Sequence, residues 1–267
     1  MRPATEPPLG ALSRDLLELR LRHFEAACTV DLTALPPQER EATATLIRKW
    51  AQMELAERKS VSVQNRIRSA QFLKIQTIDQ FNFNRCPEIR KHRTGYLSLF
   101  DSIDYEDIPS AVFTGTAGLG KTHLARALGY RSCQLGLSVL FVTAAEMVNK
   151  LETAKRAAVL DSELKRYRRP QVLIVDELGY VTMDAAGSNL FYQVISARHD
   201  QGLGTITTTN LAFGKWNQIF ANDAIAHSIV DRLTSEAEVF FMEGPSYRPI
   251  ERELKRSRRK AKAKANS

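Results

Sequence analysis

Apolar residues recur at helical spacing through the first seventy positions and then change rhythm. Leu17, Leu21, Phe24 and Cys28 share one stripe of a helix predicted over 11–28. Pro36-Pro37 breaks that helix. A second helix, about 38–59, places Leu46, Trp50 and Met53 on one face, and Val63, Ile67 and Ala70 continue the period. These stripes predict a small helical domain over 1–72. From residue 111 short apolar runs alternate with helical stretches. "AVFTG", "SVLFVT", "QVLIVDE", "GTITTTN" and "EVFFME" read as strands. Helices are predicted at 121–135, 144–156, 161–167 and 185–199, and in "KWNQIF" and "DAIAHSIVDRL". Such alternation predicts an α/β domain over 73–250, with a parallel sheet covered on both faces. The run "VLIV" has no polar alternation, as expected of a strand buried on both sides.

Composition narrows this picture. The 267 residues are 43% hydrophobic and 25% charged, which gives enough apolar surface for a core without staples. Cys28, Cys86 and Cys133 form no CxxC pair, so neither a zinc site nor a disulfide framework is expected, and a reducing cytoplasm suits them. No apolar run approaches the roughly 20 residues needed to cross a bilayer, and "MRPATEPPLG" has no signal core. A cytoplasmic protein without a membrane role is expected. The net charge of +8 is uneven. Residues 1–75 carry net +3, residues 76–250 net −1, and the basic tail 251–267 net +6. Clustered Lys and Arg attract polyanions, but the tail reads equally well as a solvated, disordered segment.

The chemistry sits in three places. "GTAGLGKT" fits G-x-x-x-x-G-K-[ST] and lies between a strand and a helix. Gly115, Thr116, Ala117, Gly118, Leu119 and Gly120 form a loop whose N–H groups can face a phosphate. Lys121, Thr122 and His123 open the helix, whose N-terminus adds positive potential. Lys121 is expected on the β- and γ-phosphates and Thr122 on Mg²⁺. Asp176 and Glu177 close an apolar strand. There Asp176 suits the Mg²⁺ shell and Glu177 the attacking water. Asn210 ends the strand "TITTT", where its amide would meet the γ-phosphate or that water; an Asn at a strand end is also an ordinary turn residue.

Together these residues resemble the AAA+ ATPases, within the initiator branch that includes DnaA and the DnaC-type helicase loaders. The chain is most similar to the IstB-like helper ATPases of insertion-sequence transposition. The resemblance rests on "GTAGLGKTHLA", "LIVDELGY", "TTTN", "FGKWNQIF", "IVDRL" and "GPSYR", and reaches upstream to "ELAERK" and "TIDQFNF". It implies a P-loop core with a five-stranded parallel sheet in the order 5-1-4-3-2. It also implies ATP and Mg²⁺ as cofactors, with hydrolysis stimulated by DNA and by assembly into a homo-oligomer. The implied partners are duplex DNA, bound largely without sequence preference, and an IstA-like transposase. Asp176 and Glu177 take the Walker-B roles and Asn210 the sensor-1 role. Arg232 looks like an arginine finger for a neighbouring subunit, although a helix-surface arginine paired with Asp231 or Glu236 is the plainer reading. Arg198 is the runner-up. Only 24 residues follow Glu243, so a multi-helix lid does not fit, as in this branch, and Arg248 has no firm role.

The initiator branch carries an extra helix after the second strand. The corresponding stretch here, "KRAAVLDSELKRYRRP", offers Lys155, Arg156, Lys165, Arg166, Arg168 and Arg169 for a phosphate backbone. Each alone also fits a solvated helix face, as do Arg58, Lys59, Arg66 and Arg68. "RCPEIRKHR" is a weaker candidate. Phe81 and Phe83 either pack near an adenine or join the core. Two other functions remain open at this point: a DnaC-type loader of a replicative helicase, and a small-molecule kinase or regulatory P-loop module. The Asp176-Glu177 pair speaks against the kinase, which would need an acceptor pocket.

Overall fold

The computed structural model describes residues 8–85 and 87–247. The chain divides between Asn65 and Arg66 into two compact units. The basic tail and Arg248 lie outside the described residues.

In the first unit, α1 (Pro8–Glu18) and α2 (Arg22–Ala34) are followed by α3 (Pro37–Ser69), whose last residues belong to the second unit. The helix expected over 11–28 is two helices, because Arg20 turns the backbone at φ +62. That turn resets the helical phase, so a stripe drawn from Leu17 to Cys28 does not stay on one face. Leu12, Leu16, Leu19 and Leu32 are buried instead, while Leu17, Leu21 and Phe24 are exposed. Along α3 the buried positions are Ala44 and Ala51, with Ile47 and Leu55 packed beside them. The expected face of Leu46, Trp50 and Met53 is in solvent. Small side chains at a contact let helix axes approach closely, and that outweighs the larger apolar area on the other side. Arg40 caps α2, its guanidinium donating to the carbonyls of Leu32, Thr33 and Leu35. The two helical stretches expected between 38 and 70 are the single helix α3.

In the second unit the end of α3 and two 3₁₀ turns lead to the short α4 (Pro87–Arg90) and α5 (Arg93–Ser102). Then come β1 (Ala111–Gly115), α6 (Lys121–Gln134), β2 (Val139–Thr143), α7 (Ala144–Arg156) and α8 (Leu160–Arg168). They are followed by β3 (Val172–Leu178), α9 (Ala185–Asp200), β4 (Gly204–Thr209), α10 (Asp223–Thr234) and β5 (Glu238–Met242). "KWNQIF" lies mostly in a 3₁₀ helix, Phe213–Gln218, rather than an α-helix. All strand pairs are parallel, and the order β2-β3-β4-β1-β5 is the expected one. The alternation along β3 explains its unbroken apolar run. Leu173 and Val175 face one core with Leu190, Phe191, Trp216 and Ile229. Val172 and Ile174 face the other with Phe113, Leu124, Leu128 and Tyr96. Both faces are dry, and ligands of such sheets sit beyond the carboxyl ends of the strands.

Candidate nucleotide site

Glycines shape the loop between β1 and α6. Gly115 sits at φ +126, and a Cβ there would lie 2.0 Å from the Met242 carbonyl oxygen at the end of β5. The neighbouring Thr116 N–H donates to that same carbonyl at 2.9 Å. Gly118 and Gly120 are also left-handed, at φ +83 and +87, where side chains are costly. The Tyr247 N–H donates to Gly118 O at 3.1 Å, so the segment after β5 also touches the loop. Leu119 anchors the loop in the core. No side chain caps the first turn of α6, so its N–H groups face the loop, the arrangement that binds anions. Lys121 Nζ donates to Gly115 O and Thr116 O at 2.6 and 2.8 Å.

Opposite the loop stands the end of β3. Asp176 is buried and Glu177 is exposed. In a regular strand two successive side chains point to opposite faces. Here the register slips: Val175 pairs with Thr207, but Leu178 pairs with Thr209. Three steps along β3 therefore match two along β4, which is a β-bulge. Glu177 sits in it at φ +61. A left-handed residue of this kind costs about 1 kcal/mol or more, and it turns both acids toward one cleft. Asp176 Oδ1 accepts from Thr122 Oγ1 at 2.7 Å and from Thr208 Oγ1 at 2.6 Å. A hydroxyl beside a carboxylate, all oxygen, is the donor set of a hard cation such as Mg²⁺. Thr122 and Asp176 therefore fit that ion.

The cleft is about 740 Å³. It brings together the loop with Lys121, Thr122 and His123, the acids Asp176 and Glu177, and Asn210 just past β4. It also contains side chains that the sequence did not single out. Lys74, Gln76, Gln80 and Asn82 line it together with Phe81. Arg126, one turn along α6 from Thr122, starts a polar chain. Its Nη1 donates to Gln76 Oε1, the Gln76 amide donates to His123 Nδ1, and His123 Nε2 donates to Thr77 O. Arg126 also lies 3.9 Å from Asp176 Oδ2. Burial lowers its pKa, and the charges of Asp176 and Glu177 pull it back up. Phe81 and Phe83 both pack into the core, and of the two Phe81 also lines the cleft.

The two arginines weighed as fingers differ. Arg198 is fully buried. Its guanidinium donates to the carbonyls of Tyr167, Pro170, Gln171 and Gly204 and to Thr205 Oγ1. Burial brings its pKa down to about 9. A side chain so enclosed reaches no neighbour, so the runner-up role for Arg198 is withdrawn; it ties α8, α9 and β4 together. Arg232 is half-buried on α10, away from its own chain's cleft. It donates to Ser196 Oγ and Ser228 O, and its guanidinium lies 5.0 Å from the Tyr192 ring centroid.

The basic residues after β2 do not form one open face. Lys155, Arg156 and Arg169 are exposed. Lys165 is exposed but pairs with Asp161 at 2.6 Å. Arg166 is half-buried against Glu163, Gln71 and Tyr167. Arg168 is half-buried and donates to Gln193 O. Among the described residues no helix is long and apolar enough to cross a membrane.

The sequence matches the family described as IstB-like ATP binding protein over residues 14–257. It is 32% identical over 207 residues to the ATP-binding protein of insertion sequence IS5376 from Geobacillus stearothermophilus, spanning 78% of this chain and 81% of that one. It is 32% identical over 201 residues to the corresponding protein of insertion sequence IS232 from Bacillus thuringiensis subsp. berliner, spanning 75% and 79%. Among solved structures the fold resembles the DnaC helicase loader, with a TM-score of 0.54 at 18% identity over 62% of this chain and 96% of that one. It also resembles AMPPCP-bound DnaA from Aquifex aeolicus, with a TM-score of 0.56 at 16% identity over 70% and 57%. The chain shares the AAA+ fold of these two structures.

Proposed function

The chain belongs to the IstB-like ATP-binding proteins, and from that premise we propose that it hydrolyses ATP, assembles on duplex DNA as a homo-oligomer and helps a transposase act on its target. One observation carries the hydrolysis: Thr122, Asp176 and the out-turned Glu177 converge opposite a glycine loop that ends in Lys121.

Lys121 leaves the loop carbonyls to neutralise the β- and γ-phosphate oxygens. Thr122 and Asp176 would hold Mg²⁺, which would supply neutralisation of phosphate charge. Glu177 orients a water toward the γ-phosphorus and takes its proton as the bond to the ADP oxygen breaks. Asn210 holds the same water or the γ-phosphate. Arg232, which does not reach its own cleft, serves a neighbouring copy, so turnover rises with assembly. Such a group is worth about 10³-fold in phosphoryl transfer. The exposed Lys155, Arg156 and Arg169 are the best placed for a DNA backbone; Lys165, Arg166 and Arg168 must first give up internal partners. The helical unit over 1–72 contacts a partner protein or DNA. Insertion-sequence relatives support transposition over helicase loading.

The test is electron microscopy and ATP turnover with duplex DNA, for the wild type and Lys121→Ala. ATP-dependent assemblies that vanish in the variant support the proposal. Identical assemblies in both, or a solitary protomer that turns over ATP at full rate without DNA, overturn it.

A further inference from the structure

The Thr208 hydroxyl sits between the two acids at the end of β3. It is 2.6 Å from Asp176 Oδ1 and 3.0 Å from the Glu177 backbone nitrogen. An amide can only donate, so the hydroxyl accepts from Glu177 and its single proton goes to Asp176. Thr208 is buried, so no water competes for either bond. The bulge explains why a side chain is needed. With three residues of β3 facing two of β4, the Glu177 N–H falls out of the backbone ladder. A buried amide without an acceptor is expensive, and the Thr208 oxygen replaces the missing carbonyl.

We propose that Thr208 is a positioning residue: its one hydroxyl fixes the metal-side carboxylate of Asp176 and the left-handed turn that aims Glu177. Thr208 lies two residues before Asn210, so one strand end carries both the hydroxyl that joins the acids and the amide expected at the γ-phosphate. The inference deepens the ATPase reading and rests on it. Thr207 provides an internal control. It is equally buried in the same strand, and its hydroxyl has no hydrogen-bond partner among the described residues.

The experiment compares Thr208→Val, Thr208→Ser and Thr207→Val in the full chain. Two quantities are read: kcat and KM for ATP with duplex DNA, and the affinity for a fluorescent ATP analogue with and without Mg²⁺. Misplacing reacting groups by an ångström costs on the order of a hundredfold. Thr208→Val is therefore expected to lower kcat by at least about tenfold with KM changed by less than about threefold. It should also shrink the gain in affinity that Mg²⁺ brings. Thr208→Ser, which keeps the oxygen, should restore both, and Thr207→Val should match the wild type. Equal losses in the serine and valine variants would mean that packing alone matters, and would overturn the proposal. So would a valine variant with normal kcat and a normal Mg²⁺ effect. A wild type that binds the analogue but hydrolyses nothing refutes the ATPase reading instead, and the Mg²⁺ effect then still decides the role of Thr208.

Discussion

In the helical unit the buried positions of α3 are Ala44 and Ala51, while Trp50 and Met53 of the same helix are 56% and 63% exposed. In the sheet unit many large side chains are fully buried, among them Trp216, Tyr96, Tyr167, Phe113 and Phe191. The sheet unit also buries polar groups, and apart from Thr207 they are hydrogen-bonded: Asp176 and Thr208 in the site, Arg198 at the amino ends of β3 and β4. Burial at about 25 cal/mol per Å² rewards large apolar side chains, so the sheet unit has a strong core that can carry strain such as the left-handed Glu177. The helical unit leaves its largest apolar groups in solvent and holds together through leucines of α1, close alanine contacts and the Arg40 cap. The strained Glu177 thus sits in the unit with the larger buried side chains, although that unit also exposes apolar groups such as Leu73, Tyr105 and Val159.

Four measurements would break or sharpen this contrast. The largest effect is expected in the site. Glu177→Gln should lower ATP turnover by about 10²–10³-fold, as loss of a general base does, with nucleotide still bound; a variant at half the normal rate would remove Glu177 from the chemistry. Next is the scaffold at the amino ends of β3 and β4. Arg198→Met strands several buried carbonyls and should cost about 3 kcal/mol or more, read by urea unfolding; a loss under 1 kcal/mol would mean those carbonyls find other donors. Third, Ala51→Leu should overpack the α3 contact and cost roughly 1–3 kcal/mol, whereas Trp50→Gln on the exposed face should stay within about 0.5 kcal/mol. The reverse ranking would restore the face expected from the sequence. The smallest perturbation uses thiols. With Cys86 replaced by serine, Cys28 and Cys133 report one unit each. Burial raises the Cys133 pKa to about 12, and raises Cys28 as well, helped by Asp31 and Glu25. At pH 8 the half-buried Cys28 should react with a disulfide reagent well before Cys133, which should wait for unfolding. Equal rates would mean that both units open together.

The same contrast explains what could be read from the sequence. Strands β1 to β5 were legible to within a residue or so: β1, β2 and β3 as short apolar runs between helices, β4 and β5 from their β-branched and aromatic residues. The phosphate loop and the Asp176-Glu177 pair were legible because their spacing is set by a local turn. The helical faces were not, since the period of a stripe says that a helix exists without saying which side is covered. The turn at Arg20 has no Gly or Pro to announce it. Lys74, Gln76 and Arg126 escaped notice because tertiary folding brings the 74–82 segment to α6. Arg198 reads as an ordinary surface charge near a helix end. Thr208 left a trace: a central strand written "TITTT" has polar side chains where none can reach water, and each needs a reason.

The carbonyl of Met242 closes the phosphate loop from a distance of more than a hundred residues along the chain. During synthesis the "GTAGLGKT" segment leaves the ribosome long before β5 exists. Until that last strand docks beside β1, Thr116 has no acceptor and Gly115 no wall to turn against. A nascent chain halted before Glu238 would therefore carry the whole signature without the wall and the acceptor that shape its loop.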